Sequence, residues 1–137
     1  MTTLVVYASL TGNTRAVAEY IAGRTGGVAV DIKNAPTDLE PYDTVIFGSR
    51  VHAGKTSKPM QRYIGENYGV LKEKKVAFYL CCMFKEEKAE KQLIDATVEL
   101  GICNGTYFIA GKKAAADGAE IDEFIAGLDG LALGDMI

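Results

Sequence analysis

The sequence predicts an α/β protein with a doubly wound, five-stranded parallel sheet between two helical layers, a three-layer α/β/α sandwich. The first observation is that apolar, strand-like runs alternate with helical patterns along the chain. The second is that the runs at 3–8 (TLVVYA) and 43–49 (DTVIFGS) are apolar without alternation, which is typical of strands buried on both faces. Right-handed crossovers between five such strands favour the strand order 2-1-3-4-5.

The first half of the chain supplies three of these strands. After the run at 3–8, a helical pattern ends at Gly26 and Gly27, a strong stop signal. The run at 28–33 (VAVDIK) alternates apolar and polar residues, which predicts a strand towards the sheet edge. Residues 34–41 are too short and too rich in proline for a full helix, so we expect a loop or a single turn there. The apolar face of the first helix carries Val17, Tyr20 and Ile21.

The second half supplies two strands and three helices. Ser57 can cap a helix that has Pro59 in its first turn, and the run at 75–83 predicts a central strand. Residues 85–100 predict a helix and residues 104–112 the fifth strand. Asp117 and Glu120 have the spacing of a capping box for the last helix. The predicted inward stripes of the three helices are Met60, Tyr63, Ile64 and Tyr68, then Ala89, Leu93, Ala96 and Leu100, then Ile121, Phe124, Ile125 and Leu128.

Length and composition fit one soluble domain that spans residues 1–137. The net charge of -3 gives no sign of the basic face that a nucleic-acid-binding protein needs. Three cysteines without a C-x-x-C motif, and a single histidine, argue against a disulfide framework and a zinc site. We therefore expect no metal, reduced thiols and a cytoplasmic location. The strand-like start predicts no signal peptide, and no apolar stretch is long enough for membrane insertion.

The loop SLTGNT follows the first strand and precedes the first helix. Backbone N–H groups at a helix N-terminus are unpaired, and together with the helix dipole and hydroxyl donors they bind an anion without any lysine. Gly12 lets the backbone approach the ligand closely. The loop therefore predicts a phosphate site, although a plain strand-to-helix turn with Asn13 or Thr14 as the N-cap would use the same residues. The predicted phosphate-binding residues are Ser9, Leu10, Thr11, Gly12, Asn13 and Thr14.

The Walker pattern and the G-x-G-x-x-G pattern are both absent, which argues against nucleotide hydrolysis and a dinucleotide. SLTGNT after an apolar strand resembles the flavodoxin phosphate loop, [TS]-x-T-G-x-T. Segments 38–64, 74–82 and 85–90 further resemble the bacterial menaquinone-dependent protoporphyrinogen oxidases and their flavodoxin-like relatives. The resemblance covers roughly residues 1–112, and it implies a flavodoxin-like fold with bound FMN.

The flavin ring is then expected at two loops beyond the strand ends, GSRVHAGK after the third strand and the residues after the fourth. Gly48 and Gly54 would allow a peptide to turn towards the flavin N5 atom. Arg50 and His52 could favour the anionic reduced flavin, or could simply be solvated. The expected ring-binding residues are Gly48, Ser49, Arg50, Val51, His52, Ala53, Gly54, Cys82, Met83 and Phe84.

No protein side chain is expected to be catalytic, because the flavin itself carries the chemistry. His52, as a proton donor, and Cys82, as a redox group, are the minor candidates for such a role. Cys81 is expected in the core as a small hydrophobic side chain.

Three functions remain open from the sequence. The first is an FMN-dependent electron carrier or small oxidoreductase, a monomer or homodimer that exchanges electrons with a partner protein or a small molecule. The second is protoporphyrinogen oxidation, although the long insertion that follows the fifth strand in those enzymes is missing from AGKKAAADGAEID. The third is a flavin-free binding or regulatory module on the same fold.

Overall fold

The computed structural model describes residues 2–8, 13–50, 57–82, 86–102, 105–109 and 118–131. Its strands form one five-stranded parallel sheet in the order β2-β1-β3-β4-β5, which confirms the predicted topology. The strands are β1 (Thr3–Tyr7), β2 (Val28–Asp31), β3 (Thr44–Arg50), β4 (Lys75–Cys82) and β5 (Gly105–Ile109).

Helices cover both faces of this sheet. They are α1 (Asn13–Thr25), α2 (Lys58–Glu66), α3 (Tyr68–Leu71), α4 (Glu86–Leu100) and α5 (Ala119–Gly127). Short 3-10 turns follow β2 and α5, at Ile32–Asn34 and Leu128–Gly130. Within the described part of the chain, no helix is long and apolar enough to cross a membrane.

Alternation along the central strands divides the core into two clusters, one on each face of the sheet. Against α2, α3 and α4 the sheet buries Leu4, Val6, Val45, Phe47, Val76, Phe78 and Leu80. Against α1 and α5 it buries Val5, Tyr7, Ile46, Ala77, Tyr79 and Cys81. The predicted helix stripes contribute to both clusters, with Met60, Ile64, Ala96 and Leu100 in the first and Val17, Ile21, Ile121 and Leu128 in the second.

Two connections differ from the sequence prediction for local reasons. The second strand ends at Asp31 rather than at residue 33, because the Asp31 carboxylate accepts a hydrogen bond of 2.9 Å from the Lys33 N–H and caps a 3-10 turn. The helix capped by Ser57 stops at Glu66, where the Asn67 side chain donates to the Tyr63 carbonyl at 2.8 Å. Tyr68, predicted within that helix, therefore begins the separate helix α3.

The start of the last helix also corrects a prediction. Its N-cap is Gly118, which makes no side-chain capping hydrogen bond, so the predicted capping box with Asp117 as the N-cap is wrong, and Asp117 itself lies outside the described residues. Gly118 has a φ of +76°, and an added Cβ there would overlap the Tyr20 hydroxyl. A residue without a side chain is favoured at this position by both its backbone angle and its packing.

Candidate functional site

The candidate site lies at the carboxyl edge of the sheet, where the chain leaves β1, β3 and β4. Because these strands are parallel neighbours, their carboxyl ends meet at one edge. The connections from β1 and β3 leave in different directions, to α1 on one face and to α2 on the other. This reversal is where open α/β sheets hold their ligands.

Thr14 lies in the first turn of α1 at this edge. It is fully buried, and among the described residues its Oγ1 atom has no hydrogen-bond partner. An unsatisfied buried hydroxyl costs about 1–3 kcal/mol, so its position calls for a polar ligand. Since α1 begins at Asn13, Thr14 is a helical residue.

Thr3 and Thr44 provide a comparison within the same molecule. Their hydroxyls are also buried, and neither has a hydrogen-bond partner in the part of the chain that is described. The two residues lie side by side at the amino ends of β1 and β3, the opposite edge of the sheet. Thr14 differs from them because it lies at a helix N-terminus, where unpaired backbone N–H groups favour an anion.

The backbone of Thr14 is hydrogen-bonded to Tyr79 of β4. The Tyr79 hydroxyl donates a hydrogen bond of 2.8 Å to the Thr14 carbonyl, and the whole tyrosine is buried. Burial raises the pKa of the Tyr79 phenol well above its usual value, and the nearby Cys81 and Tyr7 add to this effect. The phenol therefore stays protonated and able to donate.

Gly48 has a different role from the one predicted. It lies within β3, and its carbonyl accepts a hydrogen bond of 2.9 Å from the Ala8 N–H. A Cβ at this position would overlap the ring of Tyr79, its partner in β4. The missing side chain thus makes room for a tyrosine, and Gly48 is a paired strand residue rather than the turning peptide that the sequence suggested.

The structure describes only some of the other predicted site residues. Ser49 is buried in β3, and Cys81 is 8% exposed, which confirms its expected place in the core. The backbones of Asn13, Arg50 and Cys82 lie at this edge, but their side chains are outside the described part. The remaining predicted residues lie wholly outside the described residues, and they are Ser9, Leu10, Thr11, Gly12, Val51, His52, Ala53, Gly54, Met83 and Phe84.

A cavity of about 320 Å³ lies elsewhere, between β5 and α5. Phe124, Leu128 and Leu131 line it together with Glu123, an acidic residue that disfavours an anionic ligand. Among the described residues, no group of three or more His, Cys, Asp or Glu side chains is placed to hold a metal ion.

Tyr79 is the residue of this site that sequence reasoning missed. The run KVAFYLCCM indicates a buried strand, and in such a strand a tyrosine resembles any large apolar residue. One signal was present, because a buried tyrosine hydroxyl needs a hydrogen-bond partner. Identifying Thr14 as that partner requires the register of β3 and β4 and the position of α1.

The comparisons with known proteins agree with this architecture. The flavodoxin domain family matches residues 4–107, whereas no curated protein matches the chain. The solved structure of flavodoxin 2 from Bacillus cereus is similar with a TM-score of 0.71 and 21% identity, over 95% of this chain and 99% of that one. A flavodoxin from the domain Archaea has a TM-score of 0.62 and 19% identity, over 92% and 99% of the two chains.

A larger protein contains a similar unit. Rubredoxin oxygen:oxidoreductase from Desulfovibrio gigas has a TM-score of 0.63 and 13% identity, over 94% of this chain but only 36% of that one. At such identities the structural likeness establishes the shared fold. The family match, which spans residues 4–107 of 137, goes further, and the chain belongs to the flavodoxin-domain family.

Proposed function

We propose that this protein binds FMN at the carboxyl edge of its sheet and acts as an electron carrier or a small flavin oxidoreductase. The observation that carries the proposal is the buried Thr14 hydroxyl in the first turn of α1, which has no hydrogen-bond partner among the described residues. A phosphate oxygen would satisfy this hydroxyl and the unpaired N–H groups of the same turn.

The chain's residues fit the terminal phosphate of FMN. The loop at 9–14 offers hydroxyl and backbone donors and no bulky charged side chain. The helix dipole of α1 adds positive potential where the phosphate would lie. These donors suit the dianion of FMN better than the esterified diphosphate of FAD.

We assign the flavin ring to the loops after β3 and β4. Residues 49–54 and 82–84 would hold and orient it, with Val51 and Ala53 against the ring and Arg50 or His52 near its polar edge. Bound FMN would supply the redox chemistry, and the protein would tune it through charge and hydrogen bonding.

The remaining features of the proposal follow from the sequence. We propose a single domain over residues 1–137, present as a monomer or homodimer in the cytoplasm. A redox protein or a small molecule would give or take the electrons. Three cysteines without a disulfide framework support a reducing compartment.

Protoporphyrinogen oxidation is the second candidate, and the segment GSRVHAGK favours it by its resemblance to those enzymes. Only the residues 110–117 separate β5 from the cap of α5, so the long insertion of those enzymes is missing. We therefore expect weak or no quinone-dependent turnover of protoporphyrinogen. Turnover on the order of 1 per second or faster would establish this activity instead.

Comparison of FMN with riboflavin tests the phosphate site directly, because the two ligands differ by the phosphate alone. Fluorescence titration of the purified protein should give a much lower Kd for FMN than for riboflavin or FAD. Equal affinity for FMN and riboflavin would overturn the phosphate assignment. Absence of binding by any flavin would favour the flavin-free module.

Thr14→Val removes the hydroxyl and keeps the branched shape, and Thr44→Val is its matched control at the opposite edge of the sheet. We expect Thr14→Val to weaken FMN binding by roughly 10- to 100-fold, since hydrogen bonds to charged groups contribute about 1.5–3 kcal/mol. Riboflavin binding should not change, and Thr44→Val should bind both ligands as the wild type does. Neither substitution should destabilise the protein, because each removes a buried hydroxyl that lacks a partner among the described residues.

A further inference from the structure

We propose that Tyr79 is a positioning residue that fixes the first turn of α1 in the geometry that binds the phosphate. It would act through Thr14 and would not touch the ligand. The inference rests on the proposed function, because it concerns the same phosphate site. It assigns a specificity role to a residue that lies inside the sheet.

The geometry of Tyr79 is the first support. Its hydroxyl reaches from β4 across the core to the Thr14 carbonyl, a hydrogen bond of 2.8 Å between residues 65 positions apart. The bond is fully buried, so water does not compete for either atom. A bond of this kind ties the position of the helix start to the rigid centre of the sheet.

The neighbouring strands are arranged to admit this contact. Tyr7, Gly48 and Tyr79 occupy one row across β1, β3 and β4. Because Gly48 has no side chain, the Tyr79 ring can lie over β3 towards α1. An edge-on contact with Phe124 of α5, with 6.5 Å between ring centroids, supports the ring from the side of α5.

The hydrogen bond from Tyr79 to the Thr14 carbonyl is not needed to form the helix. A carbonyl in the first turn of a helix accepts a hydrogen bond from the N–H four residues later, here Ala18. The phenol is therefore a second donor to an oxygen that is already satisfied. Its effect is to restrict the rotation and tilt of the turn that carries the Thr14 hydroxyl and the anion-binding N–H groups.

Tyr79→Phe tests this inference, since it keeps the ring and removes only the hydroxyl. The matched control is Tyr63→Phe, because Tyr63 also donates to a backbone carbonyl, that of Pro36 at 2.5 Å, but on the other face of the sheet. We expect Tyr79→Phe to raise the Kd for FMN by roughly 3- to 10-fold, the range that corresponds to one neutral hydrogen bond. The Kd for riboflavin should stay the same, and Tyr63→Phe should change neither.

Hydrogen exchange of the ligand-free protein gives a second readout that does not depend on flavin. Tyr79→Phe should speed exchange of the Ala18 amide by a similar factor relative to amides in the middle of α4, and Tyr63→Phe should not. If the wild type prefers FMN to riboflavin and Tyr79→Phe keeps the full preference, the inference is overturned and the proposed function stands. If the wild type binds FMN and riboflavin equally, the proposed function fails and the inference fails with it.

Discussion

Tyr20 of α1 donates a hydrogen bond of 2.9 Å to the Asp122 carboxylate of α5, which joins two helices that are 102 residues apart in the sequence. Arg24, one turn further along α1, donates to both the Tyr20 hydroxyl at 3.2 Å and the Asp122 carboxylate at 3.3 Å. The Tyr20 hydroxyl and the partner carboxylate raise the pKa of the Arg24 guanidinium above its usual value. This cluster of Tyr20, Arg24 and Asp122 holds α5 against α1.

Tyr20→Phe should therefore lower the free energy of unfolding by about 1 kcal/mol, since it removes a part-buried hydrogen bond and leaves the ring in place. Urea unfolding at neutral pH would measure the change. Arg15→Ala is the comparison, because Arg15 makes only an exposed pair with Glu19 on the same helix and should matter less. A larger loss in Arg15→Ala than in Tyr20→Phe would show that the cluster does not hold α5.

Gly118→Ala should be more destabilising than Gly26→Ala. Both glycines have positive φ angles, +76° and +71°, so each alanine carries a backbone strain of about 1–2 kcal/mol. An added Cβ at Gly26 meets open space, whereas one at Gly118 overlaps the Tyr20 hydroxyl. Denaturant unfolding of both variants would give the difference, and in a Tyr20→Phe background that difference should shrink. Equal losses of stability in the two variants would mean that the Tyr20 side chain moves away from the added methyl group at no cost.

Gly48→Ala should destabilise the protein by about 1–3 kcal/mol, because its methyl group must displace the packed ring of Tyr79. Gly23→Ala is the control in the exposed part of α1, where a methyl group meets nothing within 4 Å. That change should stabilise the protein by about 0.5–1 kcal/mol, as alanine favours a helix over glycine. Thermal melts of both variants distinguish these effects by their sign, and a stabilised Gly48→Ala would disprove the packing argument.

Alkaline pH should destabilise the protein through its buried tyrosines. Burial raises the pKa of Tyr79 well above 10.0, and it raises the pKa of Tyr63 to about 12. Above about pH 10 the unfolded chain loses these phenolic protons while the folded chain keeps them, so stability falls as the pH rises. Melting temperatures at about pH 9 and about pH 11 should show a smaller drop for Tyr79→Phe than for the wild type. Equal drops in the melting temperatures of the wild type and Tyr79→Phe would mean that Tyr79 ionises as easily in the folded protein as in the unfolded chain.

The sheet could be predicted from sequence because its signals are local. The continuous apolar runs at 3–8 and 43–49 indicated central strands, and the alternation at 28–33 indicated the edge strand that β2 forms. The signal for the start of α2 was also local, since the Ser57 hydroxyl accepts a hydrogen bond from the Met60 N–H at 3.5 Å.

The features that the sequence did not predict depend on contacts between distant parts of the chain. Gly48 looked like a loop glycine because the sequence does not show that Tyr79 lies beside it in β4. The role of Gly118 was not predicted, because the sequence does not show that Tyr20 of α1 lies beside it. The loop residues 9–12 and 51–54 were proposed from motif and resemblance, and they remain predictions.

The packing of Tyr79 against Gly48 has an evolutionary consequence. Two adjacent strand positions that share the space of one side chain cannot drift independently, so they should change together among related sequences. A relative with alanine or a larger residue at the position of Gly48 should carry a shorter residue at the position of Tyr79, and it should then secure the start of α1 by other means. Mutational libraries built on this protein should therefore randomise the two positions jointly, because a larger residue at one position needs a smaller one at the other.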